Sequence, residues 1–143
     1  MLDIYEKKGY EWMGYSANIT RLRNEVGSLR GEIESTQHAI RRLQETKNTL
    51  SEQQVSFHHE KAQLQEPAIT AGEWHGNEAN DHDNKRTRLE ASYQASEDQL
   101  EEMISSIERK INLLRSDMQH AHTLIDVKQS QVATFKRLQN ESR

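Results

Sequence analysis

The chain has 143 residues, of which 33% are apolar and 29% are charged, and its formal net charge is −4. This composition is too polar for an ordinary globular core, and one proline with six glycines is too few turn residues for a β-sandwich or barrel. Charges of both signs are mixed, so the sequence offers no basic stripe for nucleic acid and no cationic face for a membrane surface. We predict an elongated helical protein whose partners are other proteins.

The sequence contains no cysteine, which excludes disulfides, thiolate metal sites and a cysteine nucleophile. No apolar run approaches the roughly 18 residues that a membrane span requires. The N-terminal residues lack the apolar segment and the small-residue cleavage site of a secretory signal peptide. We therefore expect neither membrane insertion nor classical secretion.

Apolar residues recur at alternating spacings of three and four in the first half of the chain, which is the heptad pattern of a coiled coil. Pro67 ends this pattern because its ring is incompatible with a normal helix interior, so helix one should run from about Tyr10 to Glu66. Lys47, Gln54 and Lys61 interrupt the seam, and its last third should therefore open most easily. The predicted seam consists of Trp12, Tyr15, Ile19, Leu22, Val26, Leu29, Ile33, Thr36, Ile40, Leu43, Lys47, Leu50, Gln54, Phe57, Lys61 and Leu64.

A second heptad seam follows, with a four-four spacing around Leu100 that would locally relax the supercoil. We predict helix two over about residues 77–140, although a capping box at Thr70 leaves its start open. The turn of residues 67–76 is short enough for an antiparallel hairpin that forms a single domain over residues 1–143. The second seam consists of Leu89, Tyr93, Ser96, Leu100, Ile104, Ile107, Ile111, Leu114, Met118, Ala121, Ile125, Lys128, Val132 and Phe135.

The connection between the helices contains the string EWHGNEANDHD, residues 73–83. Its Gly76 can bring two backbones close together, and Trp74 can cover the open end of the seam. The predicted fold class is all-α: a long, coiled-coil-like antiparallel two-helix hairpin with a Trp-x-Gly turn.

A Trp-x-Gly turn at the centre of a two-helix chain resembles the WXG family of small Esx-like hairpins, which are substrates of type VII secretion systems. The longer string, formed by Trp74, Gly76, Ala79, Asp81 and Asp83, is similar to that of the YwqH-like branch, whose members are encoded beside toxins with an LXG domain. The resemblance implies a noncatalytic bacterial accessory protein or targeting chaperone, which binds the helical LXG domain of a secreted toxin and helps present it to the secretion machinery. These five residues would form or support its recognition tip.

The resemblance also implies where and with what the protein assembles. It predicts cytoplasmic assembly with the toxin, with another small helical partner as an additional candidate, and it leaves open whether this chain is exported with the toxin. Leu50, Phe57 and Leu64 lie near the polar interruptions, so they are the seam residues that we expect a partner to share. Tyr93 and Glu97 form the one match to the export motif Tyr-x-x-x-Asp/Glu, although Tyr93 also falls on the heptad seam, where core packing is the better explanation.

Other candidate chemistry is weaker. His75 and His82 are seven residues apart and lack the spacing of four that places two imidazoles on one helical face, so we expect no metal and no cofactor. A two-helix hairpin also offers no deep cleft for catalysis, and we predict that the chain is not an enzyme. The alternative function is a structural coiled-coil spacer or a self-associating tether that forms a homodimer. Pro67 and the tryptophan motif favour the hairpin partner, because a spacer has no need of a reversal.

Overall fold

In the computed structural model, two long α-helices make up the described part of the chain: α1 spans Ile4–Gln63 and α2 spans Asn77–Glu141. The structure describes residues 4–64 and 77–142, with side chains over 9–64 and 78–142, and no strand occurs in these ranges. The helices pack against each other, which confirms the predicted helical hairpin. The predicted Trp-x-Gly turn lies outside the described residues.

The helix bounds differ from the expected ones mainly at α1. This helix begins at Ile4, before the predicted Tyr10, and ends at Gln63. Its last turn is closed by the Leu64 amide, which donates to the carbonyls of Glu60 and Lys61 at 3.2 Å each. Residues 65–76, which include Pro67, are not described. The described part of α2 begins at Asn77, so the choice between the two predicted restarts stays a prediction.

The heptad seams define the packed faces of both helices. Every predicted seam position from Tyr15 to Leu64, and from Tyr93 to Phe135, is buried or half-buried. The two outermost positions differ, because Trp12 is 37% exposed and Leu89 is 49% exposed.

At the beginning of α2, polar residues take the inward positions that the sequence assigned to Leu89. Arg86 and Glu90 are half-buried there, whereas Leu89 faces outward. Long polar side chains can bury their aliphatic stems against a seam while their charged ends remain in water. The apolar pattern therefore predicted the wrong face of α2 in these turns.

The contacts divide the chain into two compact units. The terminal unit comprises residues 1–40 and 112–143, and the middle unit comprises residues 41–111. Within each unit, a segment of α1 packs antiparallel to a segment of α2. In the terminal unit the Tyr15 and Phe135 rings lie 6.0 Å apart, and in the middle unit the Phe57 and Tyr93 rings lie 5.7 Å apart.

The two units bury very different numbers of apolar side chains. Among the described residues, the middle unit contributes only Ile104 and Ile111 to the buried core. The terminal unit contains Leu22, which is 2% exposed, and a cluster around Val26 and Ile125. The buried residues of the terminal unit are Ile19, Leu22, Val26, Ile33, Ile40, Ala121 and Ile125.

Candidate functional site

The interrupting polar residues of the α1 seam in the middle unit each face a polar residue of α2. The residues on both helices are spaced by seven, so the contacts recur at every heptad. We call these contacts the polar pairs. They join Lys47 Nζ to Glu108 Oε1 at 3.6 Å, Gln54 Nε2 to Glu101 Oε2 at 2.6 Å, and Lys61 Nζ to Gln94 Oε1 at 2.5 Å.

The polar pairs give each polar residue of the α1 seam a partner on α2, but they contribute little to stability. The Lys47 side chain is 35% exposed and that of Glu108 is 51% exposed, and an ion pair so accessible to water contributes about 0–1 kcal/mol. None of the described residues 41–64 of α1 is fully buried. The middle unit is therefore the weakly sealed part of the hairpin, as the polar interruptions indicated.

Glu97 is a seam residue that the sequence analysis considered only as part of an export motif. Its side chain is 14% exposed, with Oε1 3.7 Å from His58 Nδ1 and Oε2 3.8 Å from Lys61 Nζ. Among the described residues, the buried Oε1 has no hydrogen-bond partner, because its 3.7 Å distance from His58 Nδ1 is too long for a hydrogen bond. The weakly held carboxylate is one more reason for the low stability expected of this seam.

The position of Glu97 also changes the expected spacing of the second seam. Glu97 lies three residues before Leu100 and four after Tyr93, so the alternation of three and four continues through this region. Ser96, which the prediction used, is half-buried as well. The signal that identifies Glu97 is its spacing alone, since its residue type indicates an exposed position.

Tyr93 packs its ring edge against Phe57 at an interplanar angle of 65°. The negative charge of Glu60, followed by burial and a hydrogen bond from the phenol to Glu60, raises the pKa of Tyr93 above its ordinary value. Both residues of the candidate export motif, Tyr93 and Glu97, thus contact α1 within the seam. Their role in export stays a prediction.

The other predicted site residues divide into two groups. The partner-binding candidates Leu50, Phe57 and Leu64 all lie half-buried on the packed face of α1 in the middle unit. The recognition-tip residues are not brought together by the described structure. Trp74 and Gly76 lie outside it, Ala79 is half-buried in the first turns of α2, and Asp81 and Asp83 are exposed there.

An exposed apolar surface beside the seam was missed by the sequence analysis. Met103 is 51% exposed and, together with half-buried Ile107, lines a shallow groove of about 540 Å³ on α2. Gln99, Glu102 and Ser106 complete the groove. The sequence did not predict this surface because Met103 does not fall on a seam position. A single methionine on a polar helix face does not by itself indicate a contact surface.

Two further observations concern metals and membranes. Of the metal candidates, His75 is not described, and His82 Nε2 lies 3.3 Å from Arg86 Nη2. Over residues 4–64 and 77–142, no three histidine or acidic side chains are grouped as a metal ion would require. In the same ranges, neither helix combines the length and the apolar character needed to cross a membrane.

Comparison with known proteins identifies one family. The profile of the YwqH-like family matches residues 17–137, a range that covers most of the 143-residue chain and includes both seams except Trp12 and Tyr15. Searches of curated proteins and of solved structures find no match. The chain, a hairpin of two long helices with a polar middle unit, therefore belongs to the YwqH-like family.

Proposed function

We propose that this chain is a noncatalytic accessory protein that binds the helical LXG-type domain of a secreted toxin and helps present it to a type VII secretion system. Membership of the YwqH-like family is the observation that carries the proposal. The family resemblance supplies the kind of partner, and the hairpin supplies long helical surfaces on which another helical domain can pack.

The middle unit is the part of the hairpin best suited to such a partner. Its seam is shallow, with Leu50, Phe57 and Leu64 only half-buried, and Met103 lies exposed beside it. A partner helix that covers these side chains gains roughly 25 cal/mol for each Å² of apolar surface removed from water. Methionine adapts its shape readily to an incoming surface, which makes Met103 a suitable contact residue.

The polar pairs allow the seam to exchange contacts at low cost. Lys47 and Glu108 are accessible to water, so separating them leaves no unsatisfied buried charge. Gln54 and Glu101 are likewise joined by an exposed hydrogen bond. A partner can therefore displace these contacts and pack against the half-buried apolar residues beneath them.

Complex formation would also stabilise the chain. Any partner that binds only the folded hairpin raises its apparent stability by mass action, and the middle unit has the most to gain. In this proposal the complex assembles in the cytoplasm, with a second small helical protein as a candidate member. Trp74 and Gly76 form or support a recognition tip for the secretion machinery.

The proposal is tested by measuring the affinity of the purified chain for the LXG domain encoded beside it. Met103→Asp places a charge in the groove of the middle unit, and we expect the dissociation constant to rise about tenfold or more. Leu113→Asp is the matched control, because Leu113 is 54% exposed on the same helix but belongs to the terminal unit. This control should change the affinity by less than about twofold.

Two outcomes would contradict the proposal. If the wild-type chain binds no LXG domain, the structural spacer becomes the better interpretation. If Met103→Asp and Leu113→Asp weaken binding equally, the middle unit is not the docking surface. Circular dichroism of both variants should show unchanged helix content, because both side chains are half or more exposed.

A further inference from the structure

One stretch of α1 in the terminal unit has an uncharged outer face. Seven exposed residues follow each other there at spacings of three and four, on the side of the helix that faces away from the seam. Further along the same face, Glu34, Glu45 and Glu52 are charged, as expected of a solvated surface. The residues of the uncharged face are Tyr10, Met13, Ala17, Thr20, Asn24, Gly27 and Gly31.

The first end of this face is apolar, and its Met13 lines a groove. Tyr10 is 64% exposed and Met13 is 63% exposed. Much of the face borders a groove of about 1000 Å³, to which Trp12 also contributes. Exposed aromatic and methionine side chains that adjoin a groove are typical of a docking surface rather than of a solvated helix face.

Three of the four charged residues that line this groove are paired within the chain, and the fourth is exposed Glu32. The Glu25 carboxylate accepts hydrogen bonds from Arg21 Nη1 at 3.0 Å and from Lys128 Nζ at 2.6 Å. A partner surface that carries charged residues would therefore gain little electrostatic attraction at this groove. The groove is electrostatically matched by an occupant whose own contact face is uncharged.

The second end of the face is formed by Gly27 and Gly31. A Cβ atom at either position would meet nothing within 4 Å, so the packing of the hairpin itself does not require glycine there. Each glycine costs about 1 kcal/mol of helix stability relative to alanine. The two glycines leave a low surface on which another helix can approach closely or a large side chain can lie.

The bulky end and the glycine end are nearly equidistant from Thr20. An antiparallel two-fold axis near Thr20 would therefore place Tyr10 of one copy over Gly31 of the other, and Met13 over Gly27. Such a contact is self-complementary, as a two-fold interface must be. We propose that two copies of this chain associate through this face, with α1 packed antiparallel against α1.

The size of the face determines how strong this dimer is. At 1.5 Å per residue, the stretch from Tyr10 to Gly31 is about 32 Å long, and a helix is about 10 Å wide. The contact then buries on the order of 300 Å² per copy, well below the roughly 800 Å² of a stable complex. The dimer should be reversible, with a dissociation constant of about 10 μM to 1 mM. It uses the terminal unit and does not depend on toxin binding.

Analytical ultracentrifugation of the full chain up to about 1 mM tests this dimer. Gly31→Glu places a large charged side chain where the dimer requires a residue without a side chain. We expect the dissociation constant to rise at least about tenfold. The helix itself should not lose stability, since glutamate is a better helix former than glycine and the position is open. Ala133→Glu, which adds the same charge at an exposed position of α2 in the terminal unit, is the matched control and should leave the constant unchanged.

Cysteine cross-linking tests the orientation, because the natural chain has no cysteine. Thr20→Cys should form a disulfide with its own copy. Met13→Cys and Gly27→Cys should cross-link when the two variants are mixed and not when either is alone. Self-linking of both would show a parallel arrangement and overturn the proposal.

Other results separate this proposal from that of toxin binding. A chain that stays monomeric at all concentrations, or a dimer insensitive to Gly31→Glu, overturns the self-association. If Gly31→Glu weakens only the binding of the LXG domain, the face belongs to that partner and the dimer proposal fails. A dimer that forms as expected, in a chain that binds no LXG domain, contradicts the proposed function alone.

Discussion

The terminal unit and the middle unit share one heptad pattern but are held together by different interactions. In the terminal unit, side chains such as Leu22 and Ile125 are almost completely removed from water. In the middle unit, the corresponding α1 positions Lys47, Gln54 and Lys61 make polar contacts that water can reach.

Because of this difference in chemistry, the contacts of the terminal unit contribute more stability, and those of the middle unit are easier to replace. Complete burial of a leucine or isoleucine side chain contributes about 1.5–3 kcal/mol, whereas an exposed ion pair contributes about 0–1 kcal/mol. Positions with the same heptad spacing can thus make a strongly stabilising buried contact or a weak exposed contact, depending on the residue type. The predictions below test whether the two units differ in this way.

Truncation of a buried leucine in the terminal unit should have the largest effect. Leu22→Ala removes a side chain that is 2% exposed, and we expect the free energy of unfolding to fall by about 2–5 kcal/mol. Leu50→Ala makes the same change at a half-buried position of the middle unit and should cost about 1–2 kcal/mol. Urea denaturation of both variants measures the difference. Equal losses would show that the seam is equally important to stability in the two units.

An apolar residue in place of a polar seam residue should make the middle unit more like the terminal unit. Gln54→Leu should raise the free energy of unfolding by about 1 kcal/mol, because leucine gains burial and exposed Glu101 can bond to water instead. Gln53→Leu is the control, since Gln53 is exposed and its replacement should change stability by less than about 0.5 kcal/mol. A loss of stability in Gln54→Leu would show that its hydrogen bond is worth more than the burial gained.

The smallest predicted effect concerns acid stability in the terminal unit. The hydrogen bond from Lys128 is the main cause that lowers the pKa of Glu25. Because the folded chain then has the lower pKa, Glu25 stabilises the fold above the ordinary glutamate pKa. This contribution is lost as the pH falls through the lowered value.

Glu25→Gln removes that contribution. Its melting temperature should therefore fall less than that of the wild type between neutral pH and about pH 3. Glu32→Gln, an exposed position one heptad further along α1, should behave like the wild type. If Glu25→Gln keeps the full acid sensitivity, its pairing with Lys128 does not contribute to folding.

The fold could be predicted from the sequence because the seam signal extends over many heptads. Isolated polar residues such as Thr36 do not hide a period that the surrounding apolar residues maintain. The signal failed where apolar residues are sparse, near Leu89, and polar side chains there took the inward positions.

The candidate site was only partly accessible to sequence reasoning. The interruptions at Lys47, Gln54 and Lys61 marked the weak seam, but spacing in one helix does not reveal the residue that faces it on the other. The burial of Glu97 and the exposure of Met103 depend on how the two helices face each other. Spacing alone places Glu97 on the seam, but the groove beside Met103 does not follow from a single helical pattern.

The regular spacing of the polar pairs also determines how the two helices can realign after they separate. A slide of one heptad brings Lys47 opposite Glu101, but it replaces Gln94, which accepts a hydrogen bond from Lys61, with the shorter Thr87. A slide in the other direction carries Lys47 past Glu108. Each misalignment thus sacrifices a favourable contact, and the error grows with the length of the slide. The polar pairs therefore favour one alignment of the two helices in the middle unit, even though each contact is weak.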